Sequence, residues 1–110
     1  MMDHTERERL YQQSLVRWGT DTQLLMLFEE MAELTVALNH CFRDSCVDWE
    51  KHTRKIAEEI ADVKIMLEQI MFMFEIPDHL VAKQEKRKLF RLKRRLSPHK
   101  IPEQADFTHA

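Results

Sequence analysis

Glycine is nearly absent from this sequence: Gly19 stands alone in 110 residues, beside three prolines and two cysteines. So few turn-forming residues fit a helical chain rather than one rich in turns. Cys41 and Cys46 are too few for a disulfide framework and lack the CxxC spacing of a zinc site, so the expectation is two free thiols in a reducing cytosol. No apolar run approaches the roughly 18 residues of a membrane-spanning helix. The charged start MMDHTERER is unlike a signal peptide. Together these absences predict a cytoplasmic protein with no membrane partner. An excess of one charge is also missing. A net charge of −2 and an isoelectric point near 6.3 give no global pull toward nucleic acid.

What remains is 44% hydrophobic and 33% charged, the make-up of a soluble globular protein. The length is that of one domain, large enough for a core and small enough that self-association would help it bury more surface.

Along the chain, Thr5 to about Arg17 reads as a short, weakly amphipathic helix that stops near Trp18 and Gly19. Thr20 with Gln23 has the form of a capping box, in which side chains at a helix start satisfy its free amides. Leu24, Leu27, Met31, Leu34 and Leu38 then recur at steps of three and four, predicting a long helix to about Cys41. Phe42 to Val47 breaks the pattern, and Asp48 is placed to cap a second long helix. Its apolar positions are Trp49, Ile56, Ile60, Val63, Leu67, Ile70 and Phe74, and it ends at Ile76-Pro77. Asp78 can cap a last helix carrying Leu80, Val81, Leu89, Leu92 and Leu96. The expected domain is 1–97, with 98–110 a flexible tail. The fold class is all-α: an antiparallel helical hairpin with flanking helices, its four-helix-bundle-like core completed by oligomerisation.

The two long helices each carry acidic residues three apart, Glu30 and Glu33 in FEEMAEL, Glu59 and Asp62 in AEEIADV. Residues three apart share a helix face. A short connection makes the helices antiparallel neighbours. With the turn centred near Cys46, Glu33 lies opposite Glu59 and Glu30 opposite Asp62. The stripes continue as Gln23, Met26, Ala37 and His40 on one helix and His52, Lys55, Met66 and Gln69 on the other, and are expected to border the apolar seam. Converged carboxylates repel one another, and unpaired burial raises their pKa values. A hard divalent cation such as Mg²⁺ or Mn²⁺ removes the conflict through oxygen ligands. With no His in the motif, zinc and the Glu-x-x-His pattern of di-iron bundles are disfavoured, and phosphate chemistry is favoured.

EExxE at Glu29, Glu30 and Glu33, followed by ExxD at Glu59 and Asp62, resembles the signature of the MazG-like all-α nucleoside triphosphate pyrophosphohydrolases. The similarity runs from about Trp18 to Leu96 and includes the WGTDTQ lead-in and the EEIADV core. It implies a helical homodimer or homotetramer that uses Mg²⁺ to hydrolyse a (deoxy)nucleoside triphosphate to the monophosphate and pyrophosphate. It also implies metal ligation by Glu30, Glu33, Glu59 and Asp62, with Glu29 orienting or deprotonating a water. Lys83 and Lys86 fill the family's lysine role and Arg94 its arginine role. The asparagine that accompanies them in relatives is missing, since Asn39 is the only one in the chain.

Other candidate substrate contacts are Gln23 for base or sugar, Lys55 for a phosphate or for Glu59, and Trp18 for stacking on a base. Buried packing is the commoner fate of Trp18, Phe28 and Trp49. His40 and His52 flank the turn and read as surface residues. Two other classes compete: a helical dimerisation or interaction module without metal dependence, and, less favoured, a nucleic-acid binder. The latter would use the run Lys83 to Lys100, where nine Lys or Arg face one Glu.

Overall fold

The computed structural model describes residues 1–97 and is helical, in the order α1 (His4–Arg43), α2 (Trp49–Met73) and α3 (Asp78–Leu96). The expected flexible tail, 98–110, lies outside the described residues. The chain divides into two compact units, Met1–Glu75 and the segment from Ile76 onward.

In the first unit, Asp3 caps α1 by accepting from the Glu6 amide at 2.9 Å. The helix breaks where the lone glycine stands: Gly19 has φ 84° and ψ 166°, a conformation that residues with a Cβ rarely adopt and hold only under strain. The expected stop near Trp18 and restart at Thr20 are thus two helical segments of α1 joined at one residue. The capping box does not form, because the Gln23 side chain is turned inward and its amide has no hydrogen-bond partner. The segment before Gly19 packs on the second half of α2. Arg7 Nε donates to Glu68 at 2.7 Å, and the Tyr11 and Phe72 rings lie 6.2 Å apart. Both contacts span the same sequence separation, so this segment runs in the same direction as α2.

After Gly19, α1 continues to Arg43, and a turn of five residues, 44–48, returns the chain into α2. Ser45 and Cys46 adopt left-handed φ of 52° and 54°, and the Cys46 amide reaches back to the Cys41 carbonyl at 2.8 Å. This backward fold brings the two cysteines together, and they form a disulfide with a Cα separation of 4.7 Å. The expectation of free thiols is therefore corrected. The spacing alone did not reveal it, because only the turn's positive φ angles close the distance. Asp48 caps α2 through the Lys51 amide at 3.3 Å, as its position suggested.

Burial inverts one expectation. The stripe expected to border the seam supplies Gln23, Ala37, Glu59, Met66 and Gln69, all buried where α1 meets α2. Of the expected apolar seam only Leu27 is buried. Met31, Leu38, Ile60, Leu67 and Phe74 stay exposed, and Leu24, Leu34, Ile56, Val63 and Ile70 are half-buried. Trp18, Phe28 and Trp49 are likewise exposed instead of packed inside. The hairpin closes on a mixed set, with Gln23, Glu59 and Gln69 buried beside Leu27, Ala37 and Met66, and many of its bulkier apolar residues stay exposed.

In the second unit, Pro77 precedes α3, which ends at Leu96 with Lys93, Arg94 and Arg95 in its last turn, where cations complement the helix dipole. No residue of α3 is buried. Among the described residues no helix is long and apolar enough to cross a membrane.

Candidate metal centre

The carboxylates of the two motifs meet between α1 and α2. One oxygen each from Glu30, Glu33 and Glu59 lies within 4.8 Å of the others. Asp62 stands outside this tight group but close enough for its charge to act on Glu30. Glu33 and Glu59, which lie at equal distances in sequence from Cys46, are both in the group.

Burial differs sharply within the cluster. Glu59 is 4% exposed, and one of its oxygens, Oε2, has no hydrogen-bond partner. Its other oxygen, Oε1, lies 2.9 Å from the Lys55 ammonium one turn earlier in α2. Glu30 is half-buried, and its Oε2 is also without a partner. Burial, reinforced by the charges of Glu33, Asp62 and Glu59, pushes the Glu30 carboxyl up to about 7. Lys55 is raised in turn by its bond to Glu59 and by the neighbouring carboxylates.

Beside the cluster runs a cleft of about 570 Å³ between the two helices. Glu29, Glu33 and Glu59 line it together with the apolar Ala32, Val36 and Ala37. Toward the turn it is lined by His40, Lys51, His52 and Lys55. His52 is not the surface residue its position suggested. Its side chain is 15% exposed, and Nε2 is held 2.8 Å from Asp44 Oδ2 across the turn. His40 is exposed but also lines the cleft. Lys51, given no role from the sequence, belongs with them. One signal could have found the histidines: each lies seven residues from a cluster carboxylate on the same helical stripe, His40 from Glu33 and His52 from Glu59.

Gln23 is 1% exposed, with both amide atoms unpartnered, seven residues before Glu30 on the same helix face. Trp18 is exposed at the Gly19 break, with the Arg17 guanidinium 5.3 Å from its ring centroid. Lys83, Lys86 and Arg94 lie on α3 and are exposed. Lys83 and Lys86 line a hollow of that helix with Leu89 and Phe90.

The arrangement suits a hard cation. The donors are all oxygens, two buried lone oxygens lack partners, and the repulsion among the carboxylates is what a divalent charge relieves. Comparison with protein-family models, curated proteins and solved structures finds no match.

Proposed function

We propose that this chain is a Mg²⁺-dependent hydrolase, with Mn²⁺ a workable substitute, that converts a (deoxy)nucleoside triphosphate to the monophosphate and pyrophosphate. This is the activity that its resemblance to MazG-like enzymes implies. The observation that carries the reading is the meeting of Glu30, Glu33 and Glu59 within 4.8 Å, beside a cleft and with the buried Glu59 Oε2 unpartnered. Exposed acidic groups commonly come together without an ion. A carboxylate oxygen buried without a donor is a different matter, because Lys55 meets only Oε1 of Glu59 and leaves Oε2 for a cation to satisfy.

Glu30, Glu33 and Glu59 hold the ion, and Asp62 completes the set. When bound, the ion neutralises phosphate charge, polarises a phosphoryl oxygen and lowers the pKa of water. Glu29, on the wall of the cleft, orients and deprotonates the water that attacks near the α-phosphorus. Lys55, 2.9 Å from Glu59 Oε1, shares its charge with the incoming phosphates. Trp18, exposed at the Gly19 break, is the candidate contact for the base, whereas Gln23, at 1% exposed, is closed to a ligand in this packing. By the resemblance, the family's lysine and arginine roles in phosphate contact fall to Lys83, Lys86 and Arg94.

The working unit in this reading is a homodimer or homotetramer whose shared four-helix core covers the apolar faces left open on the hairpin. Phe28, at 58% exposed, and Leu67, at 47%, support it.

A nucleotide panel assayed for pyrophosphate release, with and without Mg²⁺, tests the activity. Glu59→Ala or Asp62→Ala should abolish Mg²⁺-dependent release while the helical circular dichroism signal persists. Turnover retained in both variants rejects the site. Thermal stability unmoved by metal and nucleotide would favour the interaction module, and strongly salt-dependent affinity for nucleic acid would favour a role for α3 in binding it.

A further inference from the structure

The cleft beside the carboxylates changes sign along its length. Eight residues, about 12 Å of helix, separate Glu59 from Lys51 in α2, and both line the same cleft. Three cations occupy the first turns of α2. Arg54 pairs with Glu50 at 3.5 Å, and Lys55 pairs with Glu59 at 2.9 Å and Glu58 at 3.7 Å. Lys51 has no ion pair among the described residues. The acids nearest the turn are already engaged: Asp44 is bound by His52, and Asp48 accepts from the Lys51 backbone amide. The end of the cleft nearest the turn therefore carries an unspent ammonium at the positive end of a helix dipole, with the His40 and His52 rings beside it.

We propose that this end of the cleft is an anion subsite for the outer phosphates of a polyphosphate chain, with Lys51 its principal contact and His40 and His52 its walls. The identity of the ligand rests on the hydrolase reading, whereas the charge arrangement does not. A phosphate chain anchored by a cation at Glu33 and Glu59 extends along the cleft toward the turn. The flexible stem of Lys51 lets its ammonium meet the far phosphates as a mobile point charge. Held there, the outer phosphates form the leaving pyrophosphate, and Lys51 offsets the negative charge that grows on it as the bond to the α-phosphorus breaks.

The test uses the full chain and inorganic pyrophosphate as probe, titrated calorimetrically in the presence of Mn²⁺. Lys51→Ala should weaken pyrophosphate binding about tenfold, and Lys51→Arg should retain most of it. Affinity for Mn²⁺ alone, followed by its electron paramagnetic resonance signal, should be unchanged in both variants. Lys64→Ala is the control, since that lysine is exposed on the same helix and does not line the cleft. Undiminished pyrophosphate affinity in Lys51→Ala overturns the subsite, as does an equal loss in Lys64→Ala or a wild type that fails to bind the probe. Failure of wild-type turnover with pyrophosphate binding intact would instead count against the hydrolase reading.

Discussion

Lys55 and Glu59, one turn apart on α2, form a contact of 2.9 Å between an exposed ammonium and the one acidic side chain that is buried among the described residues. The pair sets a positive charge against a desolvated carboxylate. Lys55→Ala should lower the melting temperature of the metal-free protein, because it strips Glu59 of the one cation paired with it among the described residues. Saturating Mg²⁺ should recover most of the loss, since the cation takes over the role of the ammonium. A variant that melts like wild type in chelator would show that Glu59 is compensated from elsewhere.

The Glu30 carboxyl gives the metal-free protein a pH dependence with a definite sign. Its folded-state pKa is raised to about 7 from 4.5, so between these values the folded state holds a proton that the unfolded state has released. The stability contributed by this group is full below about 4.5 and is lost as pH rises through about 7. Melting curves in chelator should fall across that window, and Glu30→Gln should flatten the fall. Metal binding must displace the same proton, so the thermal shift produced by Mg²⁺ should grow from pH 6 to pH 8. A Mg²⁺ shift independent of pH would place the ion away from Glu30.

Removing repulsion should stabilise the metal-free protein. Glu30 lies among three carboxylates and has an oxygen without a donor. Glu30→Gln should therefore raise the melting temperature in chelator at pH 8 while weakening Mg²⁺ affinity by about tenfold or more. Loss of stability and affinity together would mean that the carboxylate makes a structural bond of its own.

Gly19 isolates a backbone cost. Nothing lies within 4 Å of the Cβ that alanine would add, so Gly19→Ala meets no clash, only the penalty of holding φ 84°. That penalty is about 1–3 kcal/mol, readable as a lower denaturation midpoint with an unchanged denaturant slope. No change would mean that the two segments of α1 can join in another conformation.

The Cys41–Cys46 disulfide should contribute about 2 kcal/mol by closing a short loop in the unfolded chain. Alkylation without reductant should label neither cysteine, and reduction should lower the melting temperature. Ready labelling of both thiols in the folded, unreduced protein would contradict it.

Much of this architecture is legible before any coordinates. Apolar steps of three and four mark the long helices, and Asp48 marks the start of α2. Gly19 marks the break in α1, because no other residue type holds its backbone angles at so little cost. The equal distances of Glu33 and Glu59 from the turn bring the acidic motifs together, since a helical hairpin aligns positions symmetric about its turn.

Tertiary structure alone decided which face each helix turns inward. Periodicity reports which residues share a side, but both long helices carry apolar residues on more than one side, and periodicity does not rank those sides. The rotation of one helix against the other, across a turn with left-handed backbone at Ser45 and Cys46, is a matter of packing. That rotation buries Gln23, Glu59 and Gln69 while Met31 and Leu67 face outward. It also closes the disulfide and turns His52 and Lys51 into the walls of a cleft. These outcomes depend on the packing of one helix on another, an energy shared between distant residues and written in neither segment by itself.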